Sequence, residues 1–178
     1  MSTETYWKEM ARAINLINLD FVQRFKQEII ECSLRGGMLI TAGNGGSAST
    51  AEHATCDLSK GLSLTQGSNF GAICLNSNMS LSSAYANDES YENALSKMFT
   101  HIAGDEDLLL LISGSGNSKN IIKLAEVAKE RNVKTLALTG FDGGKLSKIA
   151  DLEIRVESFD MQIVENMHLA ILHSLLKV

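Results

Sequence analysis

From residue 37 onward, short apolar runs alternate with stretches of helical periodicity, and this alternation constrains the fold more than any other feature of the chain. The runs cover residues 38–42, 70–76, 107–113, 133–139 and 152–156. They are largely continuous in apolar character, as strands buried on both faces require. Helical stretches lie at about 47–59, 90–102, 118–131 and 163–176, with a short piece near 145–150. The pattern predicts an α/β fold in three αβα layers around a five-stranded parallel sheet. In such sheets ligands bind beyond the carboxyl ends of the strands, where the strand order reverses. The loops after each strand are therefore the places to look for chemistry.

Residues 5–35 read as helix, with Ile14, Leu16, Ile17, Phe21, Val22, Phe25, Ile29 and Ile30 recurring at steps of three and four. The helix is expected to break once near 18–20 and to stop at Gly36 and Gly37. It carries too much apolar surface to stand alone, so it packs on the domain, on another subunit, or on both. A length of 178 residues suits one domain, divided into a helical arm (1–36) and an α/β core (37–178). Net charge −5 argues against nucleic acid as the main ligand. No apolar run approaches the ~20 residues of a membrane span. The opening MSTETYWKEM has no apolar signal core, so a cytoplasmic protein is expected. Cys32, Cys56 and Cys74 are odd in number and match no metal spacing, so they read as reduced thiols.

Two strand–helix junctions look built for an anion. The first strand runs into Gly43-Asn44-Gly45-Gly46-Ser47 and the third into Ser113-Gly114-Ser115-Gly116-Asn117-Ser118. Glycines let backbone N–H groups approach closely, and a helix start adds orphan donors and a positive dipole end. Gly43, Gly45 and Ala48 formally fit the dinucleotide fingerprint, but the second strand ends Cys74-Leu75-Asn76, without the acid that would hold a ribose. No phosphate-binding GxxxxGK[ST] sequence occurs either. A serine-rich cradle without lysine suits a small phosphomonoester.

The four histidines are unevenly placed. His53 and Asp57 share one helix face at i, i+4. The last helix carries Glu165, His168 and His173. His101 closes another helix and fits a simple dipole role. Glu165 and His173, eight residues apart, are separated by a rise of about 12 Å and a rotation of about 80°. His168 is turned about 140° from His173, so the two cannot face one pocket, and spacing leaves the choice between them open.

GNGGS followed by a helix carrying His, then ISxSGNS, LTGxDGGK and a final helix with histidines five apart, resembles the sugar isomerase (SIS) domain. Within it the sequence is most similar to the sedoheptulose 7-phosphate isomerases, also called phosphoheptose isomerases. The likeness spans essentially the whole chain and is carried by residues 43–57, 87–88, 112–118, 138–145 and 165–173. It implies a flavodoxin-like sheet, a long N-terminal helix used in oligomerisation, and a homotetramer with active sites between subunits.

The resemblance also implies roles, residue by residue. Asn44, Gly45, Gly46 and Ser47, with Ser113, Ser115 and Ser118, match the substrate cradle, and the serines hold the sugar phosphate. His53 matches a zinc-ligating histidine. Asp57 stands where the family usually has a glutamate that is catalytic and ligates zinc. Glu165 stands where it usually has a glutamine ligand that also meets substrate. His173 matches the catalytic, zinc-ligating histidine, and Asp88 matches an acid near the site. Asp57 for Glu, Glu165 for Gln and Gly114 for Thr are departures.

The expectation is an aldose–ketose isomerase acting on sedoheptulose 7-phosphate, with one Zn²⁺ per subunit, supplying heptose for cell-surface polysaccharide. The alternatives are a non-catalytic SIS module that senses a phosphosugar or binds a replication initiator, and an isomerase of another phosphosugar. Residues 62–69 are the expected specificity element, being polar and placed after the His53 helix.

Overall fold

The five apolar runs form β1 (Leu39–Ala42), β2 (Ala72–Cys74), β3 (Leu108–Ser113), β4 (Lys134–Thr139) and β5 (Leu152–Arg155). The computed structural model describes residues 1–66 and 70–177, the side chains of 62–66 excepted. All strand pairings are parallel, in the order β2-β1-β3-β4-β5. Leu39 pairs with Ala72 on one side and Leu108 on the other. Every residue of β1 and β3 is buried, which is why these runs read as continuously apolar. Alternate residues of β3 serve opposite faces: Leu108, Leu110 and Ile112 join one core cluster, Leu109 and Leu111 the other.

One face is covered by α1 (Thr3–Asn15), α2 (Leu19–Leu34), α3 (Gly46–Gln66) and α7 (Met161–Ser174). The other carries α5 (Tyr91–Ile102) and α6 (Lys119–Glu130), with α4 (Met79–Asp88) packed on α5. The expected break in the N-terminal helix falls at 16–18, where the Asn18 side chain accepts the N–H groups of Asp20 (3.0 Å) and Phe21 (3.3 Å) and caps α2. Val22, Phe25, Ile29 and Cys32 then form the buried stripe that seats α2 on the sheet. Burial pushes the Cys32 thiol up to about 11, as suits an inert core thiol.

Two elements differ from the sequence reading. β2 is only three residues, and one turn of 3₁₀ helix (Leu75–Ser77) replaces the rest of the expected strand. Helix α4 was not anticipated: its sequence is serine-rich and it buries no residue, so it leaves no apolar period. The polar segment 62–69 falls outside the described residues, save that the backbone of 62–66 continues α3. No helix among the described residues is long and apolar enough to cross a membrane.

Candidate active site

The chain leaves β1 toward β2 on one side and returns to β3 on the other, so the strand order reverses between β1 and β3. The loops leaving these two strands flank a cleft of about 260 Å³, lined by Asn44, Gly45, Gly46, Ser47, Ser113, Gly114, Ser115, Ser118, Met161 and Glu165. Three helix starts converge here: α3 at Gly46, α6 just after Ser118 and α7 at Met161. Their first-turn N–H groups lack intrahelical acceptors, so three positive dipole ends meet at this edge, the α7 start being capped by the Asp160 carboxylate, which accepts the Ile163 N–H (3.1 Å). Ala48 and Ser49 bond back to Asn44 and Gly45, which coils the glycine loop tightly into α3.

Neighbouring side chains set the cradle's shape. Asn76, just past β2, accepts the N–H of Gly43 (3.1 Å) and donates to its carbonyl (2.9 Å). The serine loop turns at Gly116, whose φ is +62° and where a Cβ would sit 1.9 Å from the Gly143 carbonyl oxygen. That contact explains the GGK of the loop after β4: it lies beneath the serine loop, with Lys145 N–H bonded to Asn117 Oδ1 (3.2 Å). On the open side, Glu165 presses on the glycine loop, because a Cβ on Gly46 would lie 2.5 Å from its Oε1. Among the described residues no lysine or arginine lines the cleft.

Helices α3 and α7 pack against each other. Gly46 faces Glu165 near their starts, and His53 faces His173 farther along, so the helices run side by side in the same direction. At the second station His53 Nε2 lies 2.9 Å from His173 Nε2 and 3.1 Å from Asp57 Oδ2. His173 Nε2 is 3.4 Å from the same carboxylate oxygen. One hydrogen cannot serve all three atoms, whereas one cation can. Tetrahedral ligands at 2.0–2.1 Å from zinc lie about 3.3 Å apart, close to these separations. Two imidazoles and one carboxylate, with a fourth position open, is a donor set that fits zinc. The three side chains are 48%, 32% and 45% exposed.

Glu165 does not join that cluster. Its carboxylate lines the cleft, about two helical turns from His173, as the eight-residue spacing requires. His168 turns to the sheet: it is 1% exposed, and its Nε2 lies 2.9 Å from the Thr139 carbonyl oxygen. Burial holds it neutral, with a pKa lowered to about 4. Its Nδ1 has no hydrogen-bond partner among the described residues. His101 meets Tyr85 end to end, the tyrosine hydroxyl lying 2.8 Å from its Nε2. Asp88 ends α4, where it accepts a bond from Asn87 (2.9 Å), and it does not line the cleft. Met161 and Asn76 escape sequence reasoning, since neither belongs to a chemical motif.

The SIS domain family matches residues 5–140, which include both loops but not α7. The phosphoheptose isomerase of Colwellia psychrerythraea is 40% identical over 153 residues, covering 84% of this chain and 78% of that one. The phosphoheptose isomerase of Helicobacter pylori strain P12 is 38% identical over 147 residues, covering 83% and 76%. Among solved structures, a phosphoheptose isomerase from Francisella tularensis superposes with a TM-score of 0.90 at 26% identity, covering 99% of this chain and 97% of that one.

Proposed function

The chain belongs to the SIS-domain family of phosphoheptose isomerases, and from that premise we propose that it interconverts sedoheptulose 7-phosphate and the aldoheptose 7-phosphate, feeding cell-surface polysaccharide. The observation that carries the reading is the pairing of two stations along α3 and α7. One is a hydroxyl- and N–H-rich cleft, and the other a His–Asp–His cluster. Seven residues separate Gly46 from His53, a rise of about 10 Å. With C–C bonds of about 1.5 Å, an extended seven-carbon phosphosugar bridges about that distance. Its phosphate rests in the serine cradle while its carbonyl end reaches the cluster.

In the ketose-to-aldose direction, Asp57 removes a proton from C1. Its Oδ2 faces the imidazoles, which leaves Oδ1 to take the proton. His173 gives a proton to O2 from Nδ1, the ring nitrogen outside the cluster, forming the enediol. It then recovers one from O1 as the C1 carbonyl forms, and Asp57 returns its proton to C2. General acid–base help of this kind contributes about 10²–10⁴-fold per group. His53, Asp57 and His173 would hold a zinc ion, which when bound polarises the carbonyl oxygen. The exposure of these side chains suits a wall supplied by a neighbouring subunit, in keeping with a homotetramer. Conversion of sedoheptulose 7-phosphate by zinc-loaded and metal-free protein is the test. Failure of a folded, zinc-loaded sample to turn it over overturns the reading.

A further inference from the structure

The two loops of the cradle hang from different strands, yet the serine and glycine donors must hold one separation to grip one phosphate. A hydrogen-bonded bridge spans them. Asn44, in the glycine loop, donates from Nδ2 to Asn120 Oδ1 (2.8 Å), and Asn120 Nδ2 donates back to Asn44 Oδ1 (2.8 Å). Tyr91 Oη, from the first turn of α5, donates to the same Asn44 oxygen (2.7 Å). Asn120 is 2% exposed and lies two residues after Ser118, in the first turn of α6.

An amide oxygen has two lone pairs, and those of Asn44 are both taken. Asn44 therefore has no acceptor left for a substrate hydroxyl, although it lines the cleft. We propose that Asn120 and Tyr91 are positioning residues for the phosphate: through Asn44 they lock the glycine loop to the start of the serine-loop helix. The proposal rests on the reading of the cleft as the phosphate site. Asn76 holds the same loop at Gly43 from the opposite side, so the glycine loop is pinned at two consecutive residues by two different elements. The part-buried amide pair fixes the spacing between the loops, and the exposed tyrosine trims the orientation of the Asn44 oxygen. Catalytic geometry is sensitive to displacements of an ångström, so a lock of this kind acts on ligand affinity without touching the ligand.

The test compares Asn120→Asp, Tyr91→Phe and Asn44→Ala. Each is assayed for turnover of sedoheptulose 7-phosphate and, by calorimetry, for the Kd of inorganic phosphate. Asn120→Asp keeps the size but turns the donor facing Asn44 Oδ1 into an acceptor. It is expected to raise KM and the phosphate Kd about tenfold, the scale of one lost buried hydrogen bond, while kcat stays within about threefold. Tyr91→Phe removes one exposed hydroxyl and is expected to fold as the parent does, with a two- to fivefold rise in both constants. Combining Asn120→Asp with Asn44→Ala is expected to be no worse than the more damaging single change, because both break one unit.

An unchanged KM and phosphate Kd in Tyr91→Phe and folded Asn120→Asp overturns the lock. So does a fall in kcat at constant KM, or full additivity in the double variant. A parent protein that binds phosphate but turns nothing over overturns the isomerase reading and leaves the lock to be judged by Kd. A parent that binds no phosphate overturns both.

Discussion

The cleft and the histidine cluster lie on the same pair of helices and are built in opposite ways. The cleft is made mostly of backbone and short side chains at strand ends, with Met161 and Glu165 of α7 on one side. Its loops are fixed by Asn76, Asn120 and the Gly116–Gly143 contact. The cluster is made of three partly exposed side chains held by the packing of α3 on α7. Binding an unreacting phosphate calls for rigidity. Moving protons calls for groups that the solvent and a changing substrate can reach. On the proposed function, one fold supplies both by placing one at the sheet edge and the other on a helix flank.

Four changes would break or sharpen this contrast. The largest effect is expected from His173→Ala. With the side chain partly exposed, thermal stability should stay near that of the parent, while kcat falls 10²–10⁴-fold. Stoichiometric zinc, read by metal analysis, should be lost with it. A variant that keeps full turnover would remove the cluster from the chemistry.

Next comes His168, the histidine that faces the sheet. Its folded pKa of about 4 lies below the 6.5 of an unperturbed histidine. Its neutral form is thus favoured by folding, and that stability is complete above pH 6.5 and lost as pH falls toward 4. Integrated over that window the loss is about 3 kcal/mol. Denaturant midpoints between pH 7 and pH 4 should show it, and His168→Gln should flatten the slope.

Gly116→Ala tests the rigid half of the contrast. A left-handed φ costs an L-residue about 1–2 kcal/mol. The clash with the Gly143 carbonyl adds to this, so both melting temperature and phosphate affinity should fall. Unaltered affinity would show that the serine loop need not hold this turn. The smallest effect is expected from Glu165→Gln, which removes the negative charge that, among the described residues, lines the cleft with no cation beside it. Phosphate binding should tighten about five- to tenfold, near 1 kcal/mol of relieved repulsion at the surface. Weaker binding would mean that Glu165 acts as an acceptor for the sugar.

Much of the scaffold was legible because buried parallel strands leave continuous apolar runs. The strand positions, the break near Asn18 and the two glycine- and serine-rich loops at strand ends follow from residue types and spacing alone. Helix α4 was illegible because it buries nothing, and β2 read too long because Leu75 is buried in a turn rather than in a strand. In the site, glycine and serine announce the cradle by their chemistry, while Asn120 and Tyr91 look like ordinary helix-start residues. Their contacts cross 76 and 47 residues of sequence, and no local pattern encodes them. Spacing placed Glu165 and His173 on different turns. That His53 meets His173 depends on how α3 and α7 pack, which spacing does not contain.

The parallel run of α3 and α7 has a consequence for how such a protein can change over generations. One residue inserted into either helix between its two stations turns everything beyond it by about 100°. His53 and His173 would then part company. A matched insertion in both helices would swing both halves of the far station off their shared face. Only additions of whole turns, made in both helices together, keep the cluster assembled, and each turn moves it about 5 Å from the cleft. Point substitutions can retune the two stations at will, but the reach between them advances in steps of a helical turn.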